Sequence, residues 1–221
     1  VIPNGVDLEF FRPGSSEERR AIDPTIIFCG AMDYNPNVDA LRWYFGEIHA
    51  ALKQRIPDLQ VLLVGKGPIP EVKAYSNLPG VTVTGGVPDV RPYYKRAWLQ
   101  IVPLRIGGGT RLKIVESLGI GTPVVSTRIG AQGLDLAHDL DILYADTASE
   151  FISQTVRALN NSQLRATLEE NGRASAEQRL SWKKLGGDLC HAYAHLATGR
   201  MGTIAKSTSL SNPFSAEASS S

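Results

Sequence analysis

The stretch LQIVPLRIGGGTRLKIVESLGIGTPVVST, residues 99–127, holds one complete unit of an α/β architecture. An apolar run closes at Pro103, and a loop follows with Gly107, Gly108 and Gly109 in succession. A helix is predicted from near Thr110, and a second apolar run, PVVST, ends at Thr127. Neither run alternates polar with apolar residues, so both faces of each strand must be covered, the habit of a parallel sheet. Working outward, TIIFCG (25–30), LQVLLVG (59–65), VTVTG (81–85) and DILYA (141–145) read the same way. Between the first two, Leu41, Phe45, Ile48, Leu52 and Ile56 recur at three- and four-residue steps. That periodicity predicts a helix over Val38–Ile56 with Asn37 as its N-cap. The alternation predicts an α/β fold with an open, doubly wound, Rossmann-like parallel sheet.

After Ala145 the pattern is helical only, with amphipathic helices expected over Ala148–Asn160, Ser162–Arg179 and Ser181–Thr198. Residues 1–13 carry two prolines and an Asn-Gly pair and read as a linker. Residues 14–198 form the Rossmann-like domain, and the Ser-rich tail 199–221 is expected to be disordered.

The 221 residues suit one α/β domain with a substantial core. With 23 basic against 22 acidic residues, the overall field offers nucleic acid or an anionic membrane no attraction. A cationic site must therefore be local. The two cysteines, Cys29 and Cys190, have neither metal-ligand spacing nor a disulfide framework. No apolar stretch reaches a membrane span of about 18 residues, and no signal peptide is visible. A cytoplasmic setting is expected. The start inside VIPNGVD, without Met, suggests a piece of a longer protein.

Ligands of open α/β sheets bind beyond the carboxyl ends of the strands. There the three glycines permit close backbone approach. The helix start behind them presents unpaired N–H groups and the positive dipole end to a phosphate. Arg111 and Lys113 add charge in the first turn, where a cation is otherwise mildly unfavourable. Ile114, Val115 and Leu118 share a stripe that can face the sheet, while Lys113 and Glu116 lie one turn apart on another side. A carboxylate there can accept hydrogen bonds from a ribose diol. Two blander readings compete: the loop is a tight turn, and Lys113–Glu116 is an i,i+3 surface pair worth about 0.3 kcal/mol. No GxxxxGK[ST] occurs, and no GxGxxG follows the first strand, which leaves a nicotinamide-dependent enzyme without its fingerprint.

Residues 105–127 resemble the signature of glycosyltransferase family 4, where a Glu, seven residues and a second Glu precede a Gly-x-Pro-Val-Val strand. Glu116 matches the second Glu, followed by Gly121-Thr122-Pro123-Val124-Val125. VIPNGVDLEFFRP is similar to the family's interdomain linker, LQVLLVGKGP to its third-strand turn and VTVTGGVPDVRPYYKRA to its base-holding segment. Asp135 follows Gly130 and Gly133 as in the family's later loop. The resemblance covers about residues 1–195. It implies the C-terminal, donor-binding half of a GT-B fold, and retaining transfer of a sugar from a nucleotide-sugar donor to an acceptor hydroxyl. By this resemblance Glu116 binds the ribose hydroxyls, and backbone N–H groups of Gly109 and Thr110 hold the diphosphate beside Lys113 or Arg111. The base lies against Gly86, Val87 and Pro88. The donor is a substrate, with no cofactor and no metal expected, and no catalytic nucleophile is assigned. The partner implied is an N-terminal acceptor-binding domain, through which any peripheral membrane association would come. Gly108 departs from the family by standing where the first signature Glu is expected. The loop GAMDYNPN, 30–37, lacks the family's cations. The loop, of the pattern Gly-x-Met-x-Tyr-x-Pro-Asn, and the GGGTR form of the signature together resemble a subgroup of the family, and Arg111 and Lys113 are expected to carry the charge that the usual pair would supply. The alternative is a non-catalytic nucleotide-sugar-binding or scaffold remnant.

The remaining unusual residues read as structural. Asp33 and Tyr34 shape a turn before the first helix. His49, His191 and His195 lie on amphipathic helices, and His138 in a polar loop without a visible partner. Trp43, Trp98 and Trp182 are expected in the core or in helix packing.

Overall fold

The computed structural model describes residues 4–14, 21–109 and 111–197. The expectations for Thr110 and for the 199–221 tail lie outside the described residues. The chain divides into two compact units, Val1–Leu185 and Gly186–Ser221.

The first unit holds the sheet. Its strands are β1 (Thr25–Cys29), β2 (Gln60–Val64), β3 (Val81–Gly85), β4 (Leu99–Val102), β5 (Val124–Ser126) and β6 (Leu143–Tyr144). All pair in parallel, in the order β3-β2-β1-β4-β5-β6. The order reverses direction between β1 and β4, the switch point where such sheets bind ligands. Burial on both faces explains the unbroken apolar runs. Ile26 and Phe28 belong to the main core with Leu41, Leu63 and Phe151. Ile27 and Cys29 point to the other face, against Tyr94, Ala97 and Ile120.

The expected first helix is displaced. It comprises α1 (Asn35–Trp43), a π turn over Tyr44–Ile48 and α2 (His49–Arg55). Tyr34, not Asn37, occupies the N-cap, and Pro36 lies in the first turn, where its missing N–H costs nothing. Asn37 is instead buried within that turn. Two short helices, α3 (Pro70–Ala74) and α4 (Arg91–Arg96), follow β2 and β3. α5 (Leu112–Ile120) joins β4 to β5 and stops at Gly121, whose left-handed φ of 80° closes the last turn.

α6 (Ala148–Asn160) starts with a reciprocal capping box between Thr147 and Glu150. α7 (Ser162–Ser175) is capped by the Asn161 side chain, accepting from Leu164 N–H. A π turn over Ala176–Leu180 leads to α8 (Trp182–Ala197). The expected linker is stitched to this region: Val6 N–H donates to Leu180 and Trp182 N–H to Val6, at 2.8 and 3.1 Å. In the second unit, residues 186–197 are helical, and the His191 and His195 Nε2 atoms stand 2.9 Å apart.

Candidate functional site

At the switch point, the loops leaving β1 and β4 enclose a pocket of about 300 Å³. Cys29, Tyr34, Asn37, Gly108, Arg111, Lys113 and Glu116 are among its lining residues. α5 begins one turn-step later than expected, at Leu112, with Arg111 in the N-cap position. Its opening N–H groups therefore face the loop of glycines. Gly109 adopts a left-handed φ of 86°, a conformation that excludes most side chains. Gly108 does not: its φ is not positive, and a Cβ added there meets nothing within 4 Å. Neither backbone nor packing demands glycine at that position.

Arg111, expected with Lys113 as one of two cations beside the diphosphate, is engaged by the protein's own main chain. Its Nη2 donates to the carbonyls of Gly107 and Ile129, at 2.9 and 2.8 Å. It thereby fastens the glycine loop to the segment after β5 and is 7% exposed. Its Nε, also buried, has no partner among the described residues.

Lys113 and Glu116 both line the pocket and both are half-buried. Lys113 Nζ donates to Asn37 Oδ1 at 2.7 Å and lies 4.5 Å from the Phe28 ring centroid. Burial draws its ammonium down to about 8. Burial pushes the Glu116 carboxyl up to about 7, against the pull of the Lys113 charge and the Tyr94 hydroxyl. Among the described residues neither one joins a salt bridge, and each feels the other's charge only at longer range. Buried Tyr94 supports the floor, its hydroxyl taking a 3.3 Å bond from Gln100 and donating to the Lys113 carbonyl at 3.4 Å.

Gly86, Val87 and Pro88 are not brought to this pocket. They lie on the loop between β3 and α4, with Val87 half-buried and its neighbours exposed. Below them Arg91 grips Asp89 at 2.7 Å and covers the Phe10 ring at 3.7 Å. A larger cleft of about 420 Å³ is lined by Lys95, Gly121, Glu170 and Arg173, among others, and by none of the expected site residues.

Sequence reasoning missed Asn37 and Tyr94 as parts of the site, because their partners are 76 and 19 residues away. Cys29 is a buried residue at the end of β1 and also lines the pocket. His138 does have a partner, accepting from Tyr144 N–H at 2.9 Å. His49 packs inside against Tyr44, and burial lowers its pKa. Trp43 is buried in the core, whereas Trp182, at the start of α8, is 51% exposed and is not a core residue. No group of three or more His, Cys, Asp or Glu is arranged for a metal ion among the described residues. No helix there is long and apolar enough to cross a membrane.

Known proteins share this architecture. The profile of the family described as "Glycosyl transferases group 1" matches residues 23–161. A D-inositol 3-phosphate glycosyltransferase of Saccharomonospora viridis is 29% identical, over 92% of this chain and 51% of its own length. The chain thus spans about half of that relative. Anabaena HepE, solved in complex with UDP and glucose, superposes with a TM-score of 0.70 at 18% identity, over 88% of this chain and 56% of HepE. The C-terminal domain of a glycosyl transferase group 1 protein (LpcC) from Francisella tularensis gives a TM-score of 0.63 at 16% identity, over 80% of this chain and 100% of that domain. At these identities the structural matches speak to fold.

Proposed function

The chain belongs to the Glycosyl transferases group 1 family, and from that premise we propose that it supplies the donor half of a retaining, family 4-type glycosyltransferase. In this reading the pocket holds the diphosphate and ribose of a nucleotide sugar, and HepE, which shares the fold, is solved in complex with UDP and glucose. The carrying observation is Lys113 and Glu116, half-buried side by side on the first turns of α5 and unpaired with each other. A pocket wall that half-buries a cation and a carboxylate with no salt bridge between them suits a ligand that carries a dianion and a diol.

The diphosphate lies against the start of α5, where free N–H groups, the helix dipole and the Lys113 ammonium favour negative charge. As the sugar leaves, charge grows on the departing nucleoside diphosphate, and these same groups stabilise it. Glu116, one turn below, accepts from the ribose hydroxyls. The base extends toward Gly86, Val87 and Pro88, beyond the pocket proper. No metal is required in this scheme. The acceptor and the opposite wall of the cleft come from the part of the relatives that this chain does not span, and the setting is cytoplasmic. The isolated chain should bind donor weakly and transfer no sugar.

Calorimetric titration with UDP, GDP and ADP tests this. One of them should bind, and Glu116→Ala and Lys113→Ala should each weaken it about tenfold or more, the loss expected for a charge-assisted hydrogen bond. Unchanged affinity in both variants would overturn the placement. Tight nucleotide binding by a longer chain that transfers no sugar would favour the remnant reading.

A further inference from the structure

We propose that Asn37 is a positioning residue that holds the Lys113 ammonium at the pocket wall through a neutral acceptor, leaving its full charge available to an anionic ligand. The inference rests on the donor-site reading for the ligand's identity, but the tether itself is read from geometry. Asn37 is 5% exposed, set in the first turn of α1 by Pro36 and the Tyr34 cap. Its Nδ2 donates to the Ala31 carbonyl at 2.8 Å, and its Oδ1 accepts from Lys113 Nζ at 2.7 Å. Both ends of the amide are committed, and the carbonyl on one side dictates which end faces the ammonium. Gly30 leaves just enough room: a Cβ there would come within 2.7 Å of Asn37 Nδ2 and 3.1 Å of Lys113 Nζ.

The surroundings explain why neutrality matters. The groups of β1 that face the Lys113 ammonium are the Phe28 ring and the Cys29 thiol, while Tyr94 of α4 donates to the Lys113 main-chain carbonyl. Glu116 lies on its own helix, and Arg111 stands at the cap. Burial keeps the thiol and the phenol protonated, and the Glu116 carboxylate stands outside ion-pair distance. An amide oxygen can orient an ammonium without cancelling it. A carboxylate at position 37, nearly identical in shape, would hold the same atom but neutralise it before any diphosphate arrived. The β1 loop has no cation of its own between Gly30 and Asn37, so its bearing on the charge of the site is through this tether.

The test pairs two readouts on wild type, Asn37→Asp, Asn37→Ala, Lys113→Met and the Asn37→Ala/Lys113→Met double variant. Lys113 Nζ is titrated by heteronuclear NMR without ligand, and UDP affinity is measured by calorimetry near pH 7. Asn37→Asp should raise the Lys113 pKa and weaken UDP about tenfold or more. Asn37→Ala should weaken UDP about three- to tenfold without raising that pKa, and should cost nothing further once Lys113 is Met. An unchanged Lys113 pKa in Asn37→Asp overturns the proposal, and so does an equal loss from Asn37→Ala with and without Lys113. If Asn37→Ala fails to fold, the Asn37→Asp titration decides by itself. If the pKa responds as expected but wild type binds no nucleoside diphosphate, the tether stands and the donor reading falls.

Discussion

Burying the charges of Glu116 and Lys113 costs the fold stability, and the pH dependence of stability should show it. With its carboxyl raised to about 7 by burial, folded Glu116 keeps a proton that the unfolded chain releases near about 4.3. The stability linked to that proton is fully present below about pH 4 and is lost as pH rises through about 7. Glu116→Gln should therefore leave unfolding free energy unchanged near pH 4 and raise it by about 1–3 kcal/mol near pH 8, allowing for partial solvent screening. Urea melts at the two pH values check this, and a variant less stable than wild type near pH 8 would refute it. Lys113, drawn down to about 8, has the opposite sign: its linked stability is present above about 10.4 and is lost as pH falls through about 8. Near neutral pH both charges cost stability, which fits residues kept for binding. The sequence made these two legible because helical periodicity puts Lys113 and Glu116 on one side of α5. It could not separate Lys113 from Arg111. Both are cations at the helix start, and only the carbonyls of Gly107 and Ile129 turn Arg111 into a loop fastener.

Among the elements, the reading was accurate wherever a local rule acts alone. α6 spans Ala148–Asn160 as expected, because Thr147 and Glu150 define its start within four residues of chain. Between the first two strands the boundaries moved, because Pro36 and the π turn at Tyr44–Ile48 respond to packing. That π turn carries Tyr44 and Ile48 into the core, and neighbouring Trp43 meets Phe151 of α6 edge to face, with centroids 5.8 Å apart. Phe151 is fully buried and joins α6 to the layer that carries Asn37. Phe151→Ala should cost about 3–5 kcal/mol in chemical denaturation. A loss below about 1 kcal/mol would mean that this interface is not part of the cooperative core.

Across the whole molecule, every residue that lines the pocket belongs to the unit Val1–Leu185. A chain ending after Leu185 is expected to fold and to bind UDP within about twofold of the full chain, since a domain with its own core carries its own site. Loss of secondary structure on that truncation, seen by circular dichroism, would show that the remaining residues complete the fold. The parallel α/β class, the six strands and a helix start behind a glycine loop were all written in the sequence. They follow from local causes: apolar runs demand cover on both faces, and a glycine loop before a helix exposes N–H groups. Only the tertiary structure decided the strand order, the joining of Asn37 to Lys113 across 76 residues, and the distance of Gly86, Val87 and Pro88 from the pocket. It also showed that Gly108 answers to no packing or backbone need. Those outcomes depend on which loops meet at the carboxyl edge of the sheet, and that is settled by burial summed over the whole core, not by any neighbouring residue.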